Sequence, residues 1–124
     1  MSKSKFAVIG AILSGAVLFG ATAPAFAAAV DADTYAGWKI YKRQRCETCH
    51  GPNAEGAAAF PNLLNSLKTL EKEKFTDIVL NGTAKGMPPN KTNTAVVEGM
   101  DKLYKFLKGR SDGTVPAGEL EEAK

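Results

Sequence analysis

The sequence predicts an all-α fold. Between Thr94 and Lys108, apolar side chains recur at intervals of three and four residues, as they do on one face of a helix. The stretch from about Glu71 to Leu80 has a similar apolar side and is followed by Asn81-Gly82, a common way for a helix to end. No stretch alternates between apolar and polar residues convincingly enough to predict a strand. We therefore expect helices joined by loops rich in glycine and proline.

Residues 1–27 have the pattern of an export signal and precede the predicted fold. Two lysines give a positive start, the stretch from Phe6 to Ala23 carries no charge, and Pro24-Ala25-Phe26-Ala27 ends in an A-x-A cleavage pattern. A transmembrane anchor is the alternative, because the apolar stretch is just long enough to be considered. The small residues after Pro24 favour cleavage. We expect a periplasmic protein that starts at or near Ala28 and does not stay inserted in a membrane.

Removal of the signal from the 124 residues leaves 97, which is the size of one domain. So short a chain is only marginally stable unless something staples it. The formal net charge falls from +3 to +1, because 14 basic side chains then face 13 acidic ones. This small charge disfavours nucleic acid as a partner, since such proteins carry a strongly basic face.

A first helix is predicted to follow Asp31 or Asp33, either of which can cap it, and to run to about Cys49. Lysines would occupy its outer face. Its inner face would carry three aromatic side chains, Tyr35, Trp38 and Tyr41.

The end of this helix contains Cys46-Glu47-Thr48-Cys49-His50, a C-x-x-C-H motif typical of c-type haem attachment. Two thiols three residues apart on one helical turn can each add to one of the two vinyl groups of haem. The adjacent imidazole then lies under the iron. We therefore predict one covalently attached haem c, tethered by Cys46 and Cys49 and ligated by His50.

Other uses of these residues explain less of the pattern. A structural zinc site needs four Cys or His ligands, and the whole chain holds two cysteines and one histidine, all inside the motif. A thioredoxin-like redox pair would need a neighbouring β-α-β pattern. A plain disulfide would account for the cysteines but not for His50.

Loops and helices alternate after the motif. Gly51 to Pro61 contains three consecutive alanines and two prolines, which indicates a loop passing over the haem. A short helical turn is predicted around Asn62 to Leu67. Thr69 is the predicted cap of the helix from Glu71 to Leu80.

The last predicted helix runs from about Thr94 to Lys108, and Gly109 is its predicted stop. Residues 110–124 have the polar, Gly- and Pro-containing composition of a flexible tail, so that the domain would span residues 28–109. The apolar stripe of the helix consists of Val96, Val97, Met100, Leu103, Tyr104 and Leu107.

A second axial ligand is expected among the methionines, because thioether sulfur commonly joins histidine in haems that carry electrons. Met1 is lost with the signal, and Met100 lies on the apolar stripe, where methionine usually fills gaps in a core. Met87 stands in Gly86-Met87-Pro88-Pro89, a stiff extended segment that can aim a side chain. The sequence therefore favours Met87 over Met100.

The chain resembles the class I cytochromes c over nearly all of its mature length. In that family an N-terminal helix carries the haem motif, a Pro-containing loop follows, a late loop donates methionine, and the terminal helices cross around one haem. The resemblance implies that the Pro61 carbonyl accepts the His50 Nδ1 hydrogen, which orients the ring and makes it a better donor. The corresponding parts here are Gly37 to His50, Phe60 to Leu63, Met87 and Val96 to Leu107.

One departure from the family concerns the crossing of the terminal helices. Gly37 and Tyr41 each lie one residue further from Cys46 than the family usually has them. The offset predicts either a crossing at Trp38 or a local bulge.

A narrower resemblance points to partners. Leu103 to Gly113 is similar to the end of the cytochromes c that accept electrons from periplasmic PQQ-dependent alcohol dehydrogenases, with weaker similarity at Tyr35 to Tyr41 and Ser66 to Thr69. The resemblance implies a monomeric single-electron carrier with such a quinoprotein as donor and a terminal oxidase or another cytochrome as acceptor. Fold and haem alone do not determine the partner.

We expect no enzymatic turnover, since no general base, nucleophile or phosphate loop is visible in the sequence. Two alternatives remain. An open sixth position on the iron would indicate a gas sensor or a peroxide-reactive haem protein. The domain would otherwise be a tightly bound cytochrome subunit of a dehydrogenase complex.

Basic residues are expected to surround the exposed haem edge. Arg45 directly precedes the first haem cysteine, and Lys85 and Lys91 flank the methionine. Together they would form a broken rim around an apolar patch made by Ala57 to Ala59, Met87 and Pro88. The alternative is that these charges only keep the protein in solution.

Overall fold

The computed structural model describes residues 26–124 together with Gly15 and Gly20. Apart from those two glycines, Phe26 and Ala27, the predicted export signal lies outside the described residues. Within the described part, no helix is long and apolar enough to cross a membrane. The order of elements is mostly helical, as predicted: β1 Ala28–Val30, α1 Ala32–Arg43, α2 Glu47–His50, α3 Leu63–Ser66, α4 Lys72–Asn81, α5 Thr94–Glu98, α6 Met100–Asp112 and β2 Leu120–Glu122.

Helices α1 and α6 cross at Gly37. A Cβ atom at this position would lie 2.0 Å from the Lys102 carbonyl oxygen, so the close approach of the two backbones requires glycine. Beside the crossing, the Tyr41 and Phe106 rings pack with their centroids 5.6 Å apart. The predicted crossing of the terminal helices is therefore confirmed, and Trp38 is not the residue at its centre.

The helix predicted to reach Cys49 without a break is interrupted between α1 and α2. Gln44 ends α1, and Arg45 has a φ of 60°, a left-handed conformation that breaks the helical path. The Cys46 amide then donates to the Tyr41 carbonyl at 3.1 Å. This local bulge accommodates the one-residue offset of Gly37 and Tyr41, and it makes the haem motif the start of a separate short helix.

The later helices begin and end differently from the prediction at several points. Asn62 caps α3 by accepting from the Leu64 and Asn65 amides, which confirms the predicted turn. The predicted Thr69 cap is wrong, because α4 begins after Glu71 and has no side-chain cap. The helix predicted from Thr94 to Lys108 is divided at Gly99 into α5 and α6.

The C-terminal segment differs most from the prediction of a flexible tail. Helix α6 continues past Lys108 to Asp112 and ends at Gly113 in the left-handed conformation. Strand β2 then pairs in parallel with β1, and the Leu120 side chain is 4% exposed. The strands escaped prediction because three residues are too few to show an alternating pattern.

Gly109 was predicted to end the last helix, and this prediction is wrong. It lies inside α6, where a Cβ atom would be 2.5 Å from Val115 Cγ2. The glycine therefore lets the segment after α6 fold back against the helix, where Val115 is buried.

One apolar core joins these elements. It takes buried side chains from α1, α4, α5 and α6, from the connections between the helices, and from the C-terminal segment. Met100 belongs to it and is 6% exposed, as its place on the apolar stripe predicted. The large members are Tyr41, Leu67, Phe75, Val79, Val96, Met100, Leu103, Phe106, Leu107, Val115 and Leu120.

Candidate haem site

His50, the last residue of α2, contacts the loop that follows it. Its Nδ1 atom lies 3.3 Å from the Pro61 carbonyl oxygen. An Nδ1 hydrogen donated to this carbonyl sets the orientation of the ring and leaves the Nε2 lone pair available for a metal ion. The contact implied by the family resemblance is present.

Cys46 and Cys49 are free thiols, and both are half-buried. Burial raises the pKa of the Cys46 thiol, since a low-dielectric surrounding disfavours the thiolate. The two cysteines and the histidine fall within one helical turn, with Cys46 at the start of α2 and Cys49 and His50 at its end. They are therefore arranged as covalent attachment of a haem requires.

The loop from Gly51 to Pro61 is folded tightly on itself. The Gly56 amide donates to the His50 carbonyl at 2.7 Å. Gly56 has a φ of 80°, and a Cβ atom there would lie 2.8 Å from both the Phe60 carbonyl oxygen and the Asn62 nitrogen. Glycine at this position thus permits the compact turn that brings Pro61 against the histidine.

Side chains near the end of α6 donate hydrogen bonds to residues 51–67, which follow His50 and form the histidine side of the site. Lys108 Nζ donates to the Leu67 carbonyl at 2.7 Å, and Ser111 Oγ donates to the Leu64 carbonyl at 2.6 Å. The Arg110 guanidinium donates to the Asn53 carbonyl, and its Nη1 donates to Val115 at 2.8 Å. The sequence did not predict these residues as part of the site, because their partners Leu67, Leu64 and Asn53 lie 41 to 57 residues away along the chain.

Met87 lies half-buried against the core, whereas Met100 is inside it. The Thr83 amide donates to the Met87 carbonyl at 3.0 Å. Gly82 has a φ of 72°, and a Cβ atom there would lie 2.4 Å from the Met87 carbonyl oxygen. The loop that carries Met87 therefore closes directly on the end of α4.

Asn90 completes this closure. Its Nδ2 atom donates to the Val79 and Pro88 carbonyls, each at 3.1 Å. Its backbone amide also donates to Val79 and Leu80. These bonds satisfy carbonyl groups that the end of α4 leaves without helical partners.

The residues present fit a covalently attached haem. Two free thiols and an imidazole with an available Nε2 provide attachment and one axial ligand. Several apolar side chains that pack against the core remain partly exposed, and covering them with a porphyrin is favourable. Among those that follow the haem motif in the chain are Leu63, Leu64, Leu70, Leu80, Met87 and Tyr104.

The residues predicted to surround the haem edge all lie at the surface. Arg45, Lys85 and Lys91 are exposed, and none of them forms an ion pair with another residue of the described part. Ala57 to Ala59 and Pro88 are also exposed. The structure adds Phe60 to this apolar group, since the ring is 46% exposed.

Comparisons with known proteins relate the chain to cytochromes. Residues 32–107 match the family described as "Cytochrome C oxidase, cbb3-type, subunit III". Cytochrome c-555 of Methylococcus capsulatus is 57% identical over 122 residues, which cover 98% of both chains. Cytochrome c-553I of Paracoccus denitrificans is 35% identical over 97 residues, 73% of this chain and 42% of that protein.

The fold also matches a solved structure. The crystal structure of the c-type cytochrome XoxG from Methylobacterium extorquens AM1 superimposes with a TM-score of 0.71 and 32% sequence identity. The match covers 78% of this chain and spans 62% of the length of that one. The haem motif, the crossing of α1 with α6 and these relatives lead to one conclusion: the chain belongs to the c-type cytochromes, with the class I fold, one covalently attached haem c and the role of an electron carrier.

Proposed function

We propose that this cytochrome is a periplasmic, mobile carrier that accepts single electrons from a PQQ-dependent alcohol dehydrogenase and passes them to a terminal oxidase or another cytochrome. The observation that carries the proposal is the exposure of the apolar residues Ala57 to Ala59, Phe60 and Pro88. With it goes the exposure of Arg45, Lys85 and Lys91, which form no ion pair with another described residue. Small apolar patches with charged rims suit brief redox encounters. The similarity of Leu103 to Gly113 to dehydrogenase-linked cytochromes supports the donor class.

His50 and Met87 are the proposed axial ligands. The Pro61 carbonyl holds the His50 ring, and the bonds of Thr83 and Asn90 hold the methionine loop. The haem supplies the one-electron chemistry, and His/Met ligation raises its potential. With the iron held by both of these side chains, no coordination position would be left for a substrate, and we propose that the protein has no turnover of its own.

The docking face can be tested by the rate at which a quinoprotein alcohol dehydrogenase reduces the cytochrome. We expect the double variant Arg45→Glu, Lys85→Glu to be reduced several-fold more slowly at low salt and to lose most of its salt dependence. The wild-type rate should fall only several-fold as ionic strength passes about 0.1 M, where the screening length is about 10 Å. The matched control Lys68→Glu, Lys124→Glu changes the net charge equally at two other exposed lysines.

The two double variants separate steering by this rim from an effect of total charge. An unchanged rate and salt slope in the Arg45→Glu, Lys85→Glu variant, with an intact haem spectrum, would exclude the rim as the docking face. Equal slowing of both double variants would show that only total charge matters.

Export and haem attachment can be tested together on the isolated protein. The mass should correspond to a chain that starts at or near Ala28 plus one haem, and haem peroxidase staining should survive denaturing electrophoresis. Extraction of haem by acid acetone would contradict covalent attachment.

A second candidate function is that of a cytochrome subunit bound permanently in a larger complex. The family description favours it, because it names a subunit of an oxidase. Size-exclusion chromatography of the native protein distinguishes the two functions. A mobile carrier elutes alone, whereas a subunit elutes with its complex.

A further inference from the structure

We propose that Lys108, Arg110 and Ser111 are positioning residues for the histidine side of the haem site. The inference rests on the proposed role of His50 as an iron ligand. The sequence analysis related the end of α6 only to a redox partner. The proposed role is instead to hold a loop of the protein itself in place.

The three side chains bond to backbone carbonyls on both sides of Pro61. Ser111 and Lys108 bond to Leu64 and Leu67, which follow Pro61 in and after α3. Arg110 bonds to Asn53, which precedes it. The Asn53 side chain in turn accepts from the Gly118 amide at 2.8 Å. Both ends of the loop that carries Pro61 are thus attached to α6 and to the segment behind it.

The attachment reaches His50 through short backbone contacts. The Leu63 amide donates to the Ala54 carbonyl at 2.9 Å and joins the two ends of the loop. Between these ends, the Gly56 backbone approaches Phe60 and Asn62 so closely that a Cβ atom there would lie 2.8 Å from both. We therefore expect movement of α3 or of Asn53 to displace the Pro61 carbonyl, which is the acceptor for His50 Nδ1.

The chemical consequence concerns the strength of the axial imidazole. A well-aligned acceptor at Nδ1 increases the basicity of the ring. A more basic ligand stabilises the ferric state and lowers the potential. Loss of the attachment should weaken the bond from His50 to Pro61 and raise the potential.

Two variants of the holoprotein test the proposal, Ser111→Ala and Lys108→Met. NMR would measure the exchange of the His50 Nδ1 proton with solvent, and voltammetry would measure the potential. We expect exchange to become about five times faster, the effect of losing one ordinary hydrogen bond, together with a higher potential. Ser111→Thr keeps the hydroxyl and should restore both values.

Lys105→Met is the matched control. Lys105 lies on the same helix and pairs with Asp31 at 2.7 Å, so its removal weakens the protein without touching the loop of Pro61. If Ser111→Ala and Lys108→Met lower the melting temperature but leave proton exchange and potential equal to those of Lys105→Met, the proposal is overturned.

Failure of the proposed function gives a different result. If His50 is not a ligand, its ring protons lack haem-induced shifts already in the wild-type protein. That result overturns the ligand assignment and the positioning role together, whereas wild-type shifts with unchanged variants overturn the positioning role alone.

Discussion

The two sides of the haem site are held by different kinds of contacts. The histidine side, residues 51–67, receives hydrogen bonds from side chains 41 to 57 residues away on α6. The methionine side, residues 82–91, is held by the bonds of Thr83 and Asn90, whose partners are at most 11 residues away. The histidine side is thus bonded to the distant helix α6, whereas the methionine side is a loop bonded to the end of α4.

The difference indicates which ligand is released first. Local opening needs little free energy where few contacts join a segment to the core. The methionine loop should therefore open before the protein unfolds, whereas the histidine side should open only with α6.

The largest effect is expected from Met87→Ala, which removes the proposed iron ligand on the methionine side. The iron should become high-spin, bind carbon monoxide readily and have a lower potential, as visible spectra and voltammetry would show. Met100→Leu is the control, because Met100 is a core residue. Loss of the sulfur-to-iron absorption band in Met100→Leu would mean that the ligand assignment is wrong.

Gly82→Ala should detach the methionine without removing it. The backbone at Gly82, with a φ of 72° and a ψ of −169°, alone costs about 1–3 kcal/mol for a residue with a side chain. The new Cβ atom would also press on the Met87 carbonyl. We expect the sulfur-to-iron band to weaken strongly while the bond between His50 and Pro61 persists.

Gly113→Ala is the matched control for this prediction. Its φ of 80° is also positive, in the left-handed helical region, but nothing lies within 4 Å of the added Cβ atom. The control should lower stability and leave the band unchanged. Equal spectra for the two variants would show that Gly82 does not position the loop.

Hydrogen exchange compares the two sides directly. The amides of Gly56 and Leu63 donate within the histidine side, and those of Thr83 and Gly86 donate within the methionine side. In the native protein we expect the first pair to exchange at least about tenfold more slowly, which corresponds to about 1.4 kcal/mol in opening free energy. Similar protection of both pairs would contradict the contrast.

The smallest effect concerns the stability of the fold at Asp31, away from the haem site. Hydrogen bonds from Lys105 and then Thr34 hold the pKa of the Asp31 carboxyl well below its ordinary value of 3.8. A lowered folded-state pKa stabilises the protein above 3.8 and loses this effect as pH falls towards the folded-state pKa. Because the pair is exposed, Asp31→Asn should cost less than about 1 kcal/mol at pH 7, and progressively less below pH 4.

Thermal unfolding across this pH range measures the effect, and Asp33→Asn is the control. The Asp33 carboxylate lies 3.9 Å or more from its lysine partners and does not cap α1. A cost for Asp31→Asn that is independent of pH would show that the charge of Asp31 is not its cause.

Much of the site was predictable because its determinants are local in the chain. The haem motif needs only the spacing of five residues, and Met87 stands out by its Gly and Pro neighbours. Asn62 caps a helix through the next residues of its own backbone. The contact of Pro61 with His50 came from the family resemblance and not from spacing.

Helices around a C-x-x-C-H motif could be predicted from the sequence alone, since helical periodicity and attachment spacing both act within a few residues. The folded molecule was needed to show that Arg45 turns the chain before the motif, that β2 pairs with β1, and that the end of α6 holds the loop of Pro61. Lys108, Arg110 and Ser111 on α6 bond to backbone carbonyl groups, and every residue of the chain has such a group. No sequence pattern marks which carbonyl a distant lysine, arginine or serine will meet, because that pairing depends on how the helices cross at Gly37.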